Sequence, residues 1–140
     1  MKLNYQWPLP SQSRPIAIIG SGGIVKDAHL PAYQKAEFKV LGVYDINPEQ
    51  SAKIANSWNL KAFGSLDSLI SSAQSQNAVF DLALPPSAVS NVLEQLPEHA
   101  TVLIQKPMGS DFEEAKLIKA ICERKKLTAA VNFQLRFSPM

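Results

Sequence analysis

The chain has 140 residues, of which 46% are hydrophobic and 19% charged, with a formal net charge of +2 at pH 7. This length and composition predict one soluble globular domain with a real core, while the weak net charge gives no electrostatic footprint for nucleic-acid binding. No apolar stretch reaches the roughly 18 residues of a membrane span. The single cysteine, Cys122, favours a reduced protein of the cytoplasm, and we predict no metal site.

The N-terminal residues 1–14 contain two prolines and several serines and glutamines, which predicts an extended arm. The arm is too apolar for a plain disordered tail, so we expect it to pack on the domain or on a neighbouring chain. Its apolar residues are Tyr5, Trp7 and Leu9. We place the folded domain at residues 15–140.

A glycine-rich turn follows the first predicted strand, which is a short run of mostly β-branched residues from Ile16 to Ile19. Apolar residues with helical spacing come next, so the turn is expected at a helix N-terminus, where amides and the helix dipole favour an anion. The glycine pattern is incomplete, because Val25 stands at the third glycine position of the dinucleotide fingerprint. A glycine-rich turn without a ligand therefore stays open as an alternative. The turn residues are Gly20, Ser21, Gly22 and Gly23, and the apolar helix positions are Ile24, Val25, Ala28 and Ala32.

A second predicted strand, residues 39–44, ends at Asp45. A carboxylate at this place is where dinucleotide-binding folds bind a ribose 2′-hydroxyl. Asp45 therefore shifts the interpretation of the glycine turn towards a nucleotide site.

The remaining chain continues to alternate between helix and strand signals. This alternation predicts an α/β fold: a doubly wound parallel (Rossmann) sheet of six or so strands, with helices on both faces. The predicted elements are a helix capped by Asn47 and carrying Ala52 and Ile54, a short strand at 61–63, a helix capped by Ser65, a strand at 78–84, a helix at 87–96, a strand at 101–104, a helix opened by Asp111 and Glu114, and a strand at 127–131.

The order of several motifs resembles the N-terminal half of the glucose-fructose oxidoreductase and myo-inositol dehydrogenase family (Gfo/Idh/MocA). The resemblance covers residues 15–139, and its specificity lies in the order and spacing of the motifs. They are the glycine turn at 18–24, His29-Leu30-Pro31-Ala32-Tyr33, Val43-Tyr44-Asp45, Gln105-Lys106-Pro107-Met108-Gly109, and Asn132-Phe133 with Arg136-Phe137.

This resemblance implies a nicotinamide cofactor, with NAD favoured over NADP because Asp45 would repel a 2′-phosphate. It implies one catalytic residue, Lys106, which lies by the nicotinamide and contacts the substrate hydroxyl. In this chain Gln105 replaces the family's glutamate before that lysine, and a cis Lys106-Pro107 bond is one open alternative. The implied cofactor contacts are Gly20, Ser21, Gly22, Gly23, Ile24, Asp45, Leu84, Pro85, Gln105, Lys106 and Asn132.

Several positions depart from the family pattern or stay ambiguous. The run that begins at Leu84 and Pro85 lacks the family's threonine and histidine, so contacts at these two residues would come from the backbone. His29 fits its motif, yet on a predicted helix it is expected to be a packing residue, and His99 is expected at the surface. Asn132 and Arg136 are candidates to approach the nicotinamide or the substrate, and a polar link to a following domain is an equally open alternative.

The function implied by the resemblance is hydride transfer between NAD and a hydroxyl of a sugar, cyclitol or polyol. The family's second domain, which supplies further substrate-binding residues and usually the oligomer interface, is not in these 140 residues. We therefore expect this chain alone to be inactive, and a homo-oligomer stays open. The alternative is a stand-alone nucleotide-binding or sensory module without catalysis. Neither nucleic acid nor a membrane is an expected partner.

Overall fold

A computed structural model describes residues 10–134. Its centre is a five-stranded, fully parallel sheet with strand order β2-β1-β3-β4-β5. The strands are β1 (Ile16–Ile19), β2 (Val40–Tyr44), β3 (Val79–Leu82), β4 (Thr101–Gln105) and β5 (Thr128–Asn132). The helices are α1 (Leu30–Lys35), α2 (Pro48–Trp58), α3 (Leu66–Ser75), α4 (Pro86–Gln95) and α5 (Phe112–Arg124), and a π-helical turn, Val25–His29, precedes α1.

The doubly wound parallel Rossmann fold predicted from the sequence is confirmed, with one difference in strand number. The predicted strand at 61–63 is reduced to a single bridge between Val43 and Ala62. Two backbone hydrogen bonds hold that bridge, from Val43 to the Lys61 carbonyl and from Phe63 to the Val43 carbonyl. The sheet therefore has five strands and a one-residue sixth position at its edge.

Helices cover both faces of the sheet and divide the core into two clusters. One cluster packs α3, α4 and α5 against the sheet, with Phe80, Leu93 and Ile118 fully or almost fully buried. The other packs the π-helical turn, α1 and α2 against β1 and β2. On that second face, β3, β4 and β5 line an apolar groove of about 450 Å³, which we call the sheet-face groove.

Several local predictions are confirmed by the contacts that they require. The side chain of Asn47 accepts hydrogen bonds from the Glu49 and Gln50 amides and caps α2. The Asp111 side chain accepts one from the Glu114 amide and caps α5. Cys122 is buried on the inner side of α5, and burial, followed by the neighbouring Glu123, raises the pKa of its thiol.

Of the apolar positions predicted for the first helix, only Val25 is buried. Ile24, Ala28 and Ala32 are exposed, and His29, four residues after Val25, is buried instead. The helix begins with a π-helical turn, in which the Leu30 amide donates to the Val25 carbonyl five residues earlier. In α2, Ala52 is likewise exposed and Ser51 is buried in its place.

The predictions for the N-terminal arm and for Arg136 concern residues outside those described, apart from Pro10 to Arg14. Arg14 links the start of the domain to the amino ends of β3 and β4 through hydrogen bonds. Its guanidinium donates to the Asn77 carbonyl at 2.6 Å, to the Asn77 side chain at 2.8 Å and to Thr101 Oγ1 at 2.8 Å. None of the helices within residues 10–134 has the length and apolar run needed to cross a membrane.

Candidate functional site

The glycine turn lies directly after β1, at the point where the strand order reverses. Strand β1 pairs with β2 on one side and β3 on the other, and β3 then leads away towards β4 and β5. In open parallel sheets, ligands bind outside the carboxyl ends of the strands at such a switch point. The fold therefore places the turn where a nucleotide site is expected.

Two of the turn glycines have different structural roles. Gly20 has φ +98°, and a Cβ atom there would lie 2.3 Å from the Ala83 carbonyl oxygen, so only glycine fits between β1 and β3. Gly22 is exposed, and a Cβ atom there would meet nothing within 4 Å. Gly20 is thus needed for the fold, while Gly22 leaves space beside the turn.

A cleft of about 500 Å³ opens between this turn and the carboxyl end of β3. This volume is large enough for part of a dinucleotide, since ligand pockets typically measure about 300–1,000 Å³. Its walls come from the glycine turn, the end of β2, the loop after β3 and one side of α4. The predicted site residues that line it are Gly20, Ser21, Gly22, Asp45, Leu84 and Pro85.

Asp45 is joined to the glycine turn by hydrogen bonds. Its Oδ2 atom accepts from the Ser21 amide and from Ser21 Oγ, each at 2.7 Å, and its Oδ1 atom accepts from the Asn47 amide at 2.9 Å. Ser21 is fully buried, and the Gln50 side chain donates to its carbonyl at 3.0 Å. We call Ser21, Asp45 and Asn47 the surface cluster, because its aspartate lines the open cleft.

The surface cluster leaves one acceptor direction free at Asp45. A carboxylate oxygen has two lone pairs, and both of those on Oδ2 are used by Ser21, whereas Oδ1 accepts one hydrogen bond from the described residues. Oδ1 therefore retains the capacity to accept a hydrogen bond from a ligand hydroxyl in the cleft.

Gly23 and Ile24 lie beside the cleft at the start of the helical turn, and Ile24 is 39% exposed. The first amides of a helix have no partner within it, so those of this turn suit an anion. The residues present thus fit a dinucleotide: open space at Gly22, amides at a helix start, and a carboxylate with a free acceptor position.

The remaining predicted site residues do not line this cleft. Gln105 ends β4 and is paired in register with Asn132 at the end of β5. Lys106 follows at an exposed position, and its bond to Pro107 is cis. These residues share the carboxyl edge of the sheet with the glycine turn but stand two and three strands from β1.

A group of buried polar side chains, which no sequence pattern indicated as a unit, connects the end of β4 to the centre of the molecule. Asp81, in the middle of β3, is fully buried and accepts at Oδ2 from Tyr33 Oη at 2.8 Å. His29 Nδ1 lies 2.7 Å from the same oxygen, and His29 Nε2 lies 3.2 Å from Gln105 Nε2. We call Tyr33, Asp81, His29 and Gln105 the buried cluster.

The expectation that His29 is a packing residue captures its burial but misses its hydrogen bonds. The missed signal is Asp81, a charged residue within an otherwise apolar strand, because a buried carboxylate requires partners. Burial, followed by the charge of Asp81 and its hydrogen bond, raises the pKa of Tyr33, so this hydroxyl remains a donor. His99 is exposed, as predicted.

Comparison with known proteins agrees with this fold. Residues 14–133 match the model of an oxidoreductase family with an NAD-binding Rossmann fold, GFO_IDH_MocA. The chain is 31% identical over 127 residues to the glucose-6-phosphate 3-dehydrogenase of Bacillus subtilis, covering 89% of this chain and 35% of that protein.

Two solved structures have the same fold. The UDP-N-acetylglucosamine 3-dehydrogenase GnnA of Acidithiobacillus ferrooxidans superposes with a TM-score of 0.70 at 26% identity, covering 86% of this chain and 38% of that one. The WlbA dehydrogenase of Chromobacterium violaceum, in complex with NADH and UDP-GlcNAcA, superposes with a TM-score of 0.77 at 20% identity, covering 92% and 37%. At that identity the second match shows the fold alone.

The chain thus spans about two fifths or less of each of these proteins. The cofactor expected from the sequence, NAD, is the one in the family's description. Both the motif order and the family match lead to one conclusion: the chain belongs to the Gfo/Idh/MocA oxidoreductase family and comprises its NAD-binding Rossmann domain.

Proposed function

We propose that this chain binds NAD for a dehydrogenase that oxidises a secondary hydroxyl of a sugar or related polyol. The observation that carries the proposal is the surface cluster, because it fixes a carboxylate with a free acceptor position beside an open glycine turn. That combination suits a ribose hydroxyl and a pyrophosphate at neighbouring places in one cleft.

In this proposal the turn amides bind the pyrophosphate, and Asp45 Oδ1 accepts a hydrogen bond from the adenosine ribose. The space at Gly22 admits the phosphate, and Gly23 and Ile24 supply helix-start amides. Leu84 and Pro85 form the opposite wall of the cleft and contribute backbone contacts.

Asp45 is also the basis for preferring NAD to NADP. A 2′-phosphate about 4 Å away would be repelled by about 4 kcal/mol per charge pair at an effective dielectric of 20, and by about 1 kcal/mol in water. The residues after Asp45 are Ile46, which is 91% exposed, and Asn47, which caps α2, so neither offers a cation to the phosphate.

Lys106 is the proposed catalytic residue. When bound, NAD supplies a nicotinamide that accepts a hydride from the substrate carbon. The ammonium of Lys106 is exposed at the carboxyl edge of the sheet, where it would stabilise the negative charge that develops on the substrate oxygen as the hydroxyl proton passes to a general base, which the family resemblance assigns to the second domain. Gln105 and Asn132 are proposed to lie beside the nicotinamide, since they end adjacent strands at that edge.

The names of two relatives support a proposal for the substrate class. Both the Bacillus subtilis protein and GnnA are named as 3-dehydrogenases, one of glucose 6-phosphate and one of a nucleotide sugar. We therefore propose a hexose derivative carrying a phosphate group, oxidised at carbon 3. A cytoplasmic location and a homo-oligomer belong to the same proposal, and sedimentation equilibrium tests the second of these.

Parallel calorimetric titrations with NADH and NADPH test the cofactor part of the proposal. We expect selective binding of NADH, and an Asp45→Asn variant that binds NADH about tenfold more weakly, as expected for a lost hydrogen bond to a charged group. Ser21→Ala is the control, because it removes one partner of Asp45 while keeping the carboxylate. Equal affinity for both cofactors would contradict the proposed role of Asp45.

Lys106→Met tests the catalytic part in the intact enzyme, assayed by NAD reduction with glucose 6-phosphate. We expect kcat to fall at least about a hundredfold with little change in NADH affinity. Cofactor binding without turnover of any hexose phosphate or nucleotide sugar would favour the non-catalytic module.

A further inference from the structure

The buried cluster ends at a backbone amide of Lys106. The Lys106 N–H donates to Oε1 of the preceding Gln105 at 2.9 Å. Gln105 is 7% exposed and His29 6% exposed, so water has little access to the contacts between them. The chain of hydrogen bonds therefore runs from Tyr33, through the centre of the sheet, to the residue proposed as catalytic.

One donor determines the orientation of every side chain in this group. Because the Lys106 N–H requires an acceptor, Gln105 must direct its oxygen to Lys106 and its NH₂ group to His29. His29 Nε2 then accepts, which places the ring proton on Nδ1. That proton is donated to Asp81 Oδ2 at 2.7 Å.

We propose that His29 and Asp81 are positioning residues that act through Gln105 to fix the orientation of Lys106, with His29 held as the neutral Nδ1–H tautomer. The proposal rests on the proposed function of Lys106. Asp81 sets the tautomer, His29 sets the rotamer of the Gln105 amide, and Gln105 holds the Lys106 amide directly before the cis bond to Pro107.

A cationic His29 is incompatible with this arrangement. Its Nε2–H would face the Gln105 NH₂ group, and rotating that amide would leave the Lys106 N–H facing a donor. A carboxylate at position 105 has no such conflict, since it accepts from both His29 and Lys106. The residue at position 105 therefore determines whether the buried cluster holds a neutral imidazole or a cation.

The charged and titratable groups around His29 are few within residues 10–134. Asp81 of β3 contacts its ring, and Tyr33 of α1 lies edge-on, with ring centroids 6.1 Å apart. Lys26 and Asp27 of the π-helical turn have side chains that are 65% and 70% exposed. Lys106 meets the cluster through its backbone. Asp81 is therefore the ionisable partner that controls the tautomer.

Nitrogen NMR of the imidazole tests the tautomer in the chain itself. The sequence has two histidines, so a His99→Gln background leaves His29 as the only signal. We expect the neutral Nδ1–H form at pH 7, and the doubly protonated ring in Gln105→Glu at the same pH. A wild-type His29 in the Nε2–H form, or cationic at pH 7, would overturn the proposal.

Hydrogen exchange at the Lys106 amide tests the link to Lys106. We expect exchange to be at least about tenfold faster in His29→Leu than in the wild type, because Gln105 loses the partner that fixes its rotamer. Asp81→Asn, which retains an acceptor for His29, should keep most of the protection, and Asp81→Ala, which removes that acceptor, is the second test if His29→Leu does not fold. Unchanged exchange in folded His29→Leu, or in Asp81→Ala, would exclude a positioning role.

These readouts do not depend on the cofactor. A chain that fails to bind NADH yet shows the predicted tautomer and exchange would overturn the proposed function and leave the positioning contacts intact. In an active enzyme, His29→Leu should lower kcat with little change in KM for NAD, because His29 acts through Gln105 and is not one of the proposed cofactor contacts. An unaltered kcat in folded His29→Leu would overturn the positioning role in catalysis.

Discussion

The surface cluster and the buried cluster are both built around an aspartate that receives several hydrogen bonds, but they arise in different ways. Asp45, Ser21 and Asn47 come from two strand-to-helix turns, and Asp45 and Ser21 line an open cleft. Asp81 is fully buried at the centre of β3, and its partners come from the π-helical turn and α1. The first cluster is suited to ligand contact and the second to holding its surroundings in place.

Gly20→Ala tests how strongly the surface cluster depends on the fold, and we expect the largest loss of stability here. The new methyl group would meet the Ala83 carbonyl at 2.3 Å with φ at +98°, so the free energy of unfolding should fall by about 4 kcal/mol. Urea denaturation measures this loss.

Gly22→Ala is the matched control, because its methyl group enters open space. Its stability should stay within about 0.5 kcal/mol of wild type, while NADH affinity falls as the methyl group occupies space beside the turn. Equal stability losses in both variants would show that the two glycines do not have separate roles.

Asp81→Ala tests whether the buried cluster is structural at its core. The substitution leaves the His29 Nδ1–H and the Tyr33 hydroxyl without their acceptor, so we expect a loss of about 3 kcal/mol. Tyr33→Phe removes one donor and should cost about 1 kcal/mol. Urea denaturation measures both losses. Equal losses of unfolding free energy in Asp81→Ala and Tyr33→Phe would mean that the hydrogen bond between His29 and Asp81 contributes nothing to stability.

Stability at high pH should also distinguish the two clusters. The raised pKa of Tyr33 means that the unfolded chain ionises this hydroxyl first, so its stabilising contribution is complete below about pH 10 and is lost as the pH rises above it. The loss approaches about 1.4 kcal/mol per pH unit for this one group. Urea denaturation between pH 9 and 11 should show a shallower slope for Tyr33→Phe, and identical slopes would contradict the assigned cause.

Asn47→Ala should have the smallest effect. It removes the side chain that caps α2 but leaves the Asn47 amide that donates to Asp45, so we expect a cost of about 1 kcal/mol. Thermal unfolding measures the cost, and the cofactor titration should be nearly unchanged. A large loss of NADH affinity would instead make the α2 cap part of the nucleotide site.

The same contrast explains what the sequence could predict. The fold, the glycine turn and the position of Asp45 follow from local signals: a β-branched strand, glycines behind it, and a carboxylate at the next strand end. Asn47 and Asp111 were likewise predictable, because a helix cap depends on residues within one turn.

The buried cluster was not predictable in this way. Helical spacing from Ile24 directs Ala28 inwards, whereas the buried residues are Val25 and, four residues later, His29. No local pattern in the sequence indicates which of these two sides packs inwards, since the partners of His29 lie on β3 and β4, far away in the sequence. Asp81 within an apolar strand was the one available signal, and it gave no indication of its partners.

Mapping NADH binding by backbone amide NMR tests the central claim most directly. We predict the largest shifts at the amides of residues 21–24 and at Asp45, with little change in the sheet-face groove at Thr101 and Thr128. Shifts concentrated in that groove, or no shifts at the glycine turn at saturating NADH, would contradict the assignment of the switch-point cleft as the nucleotide site.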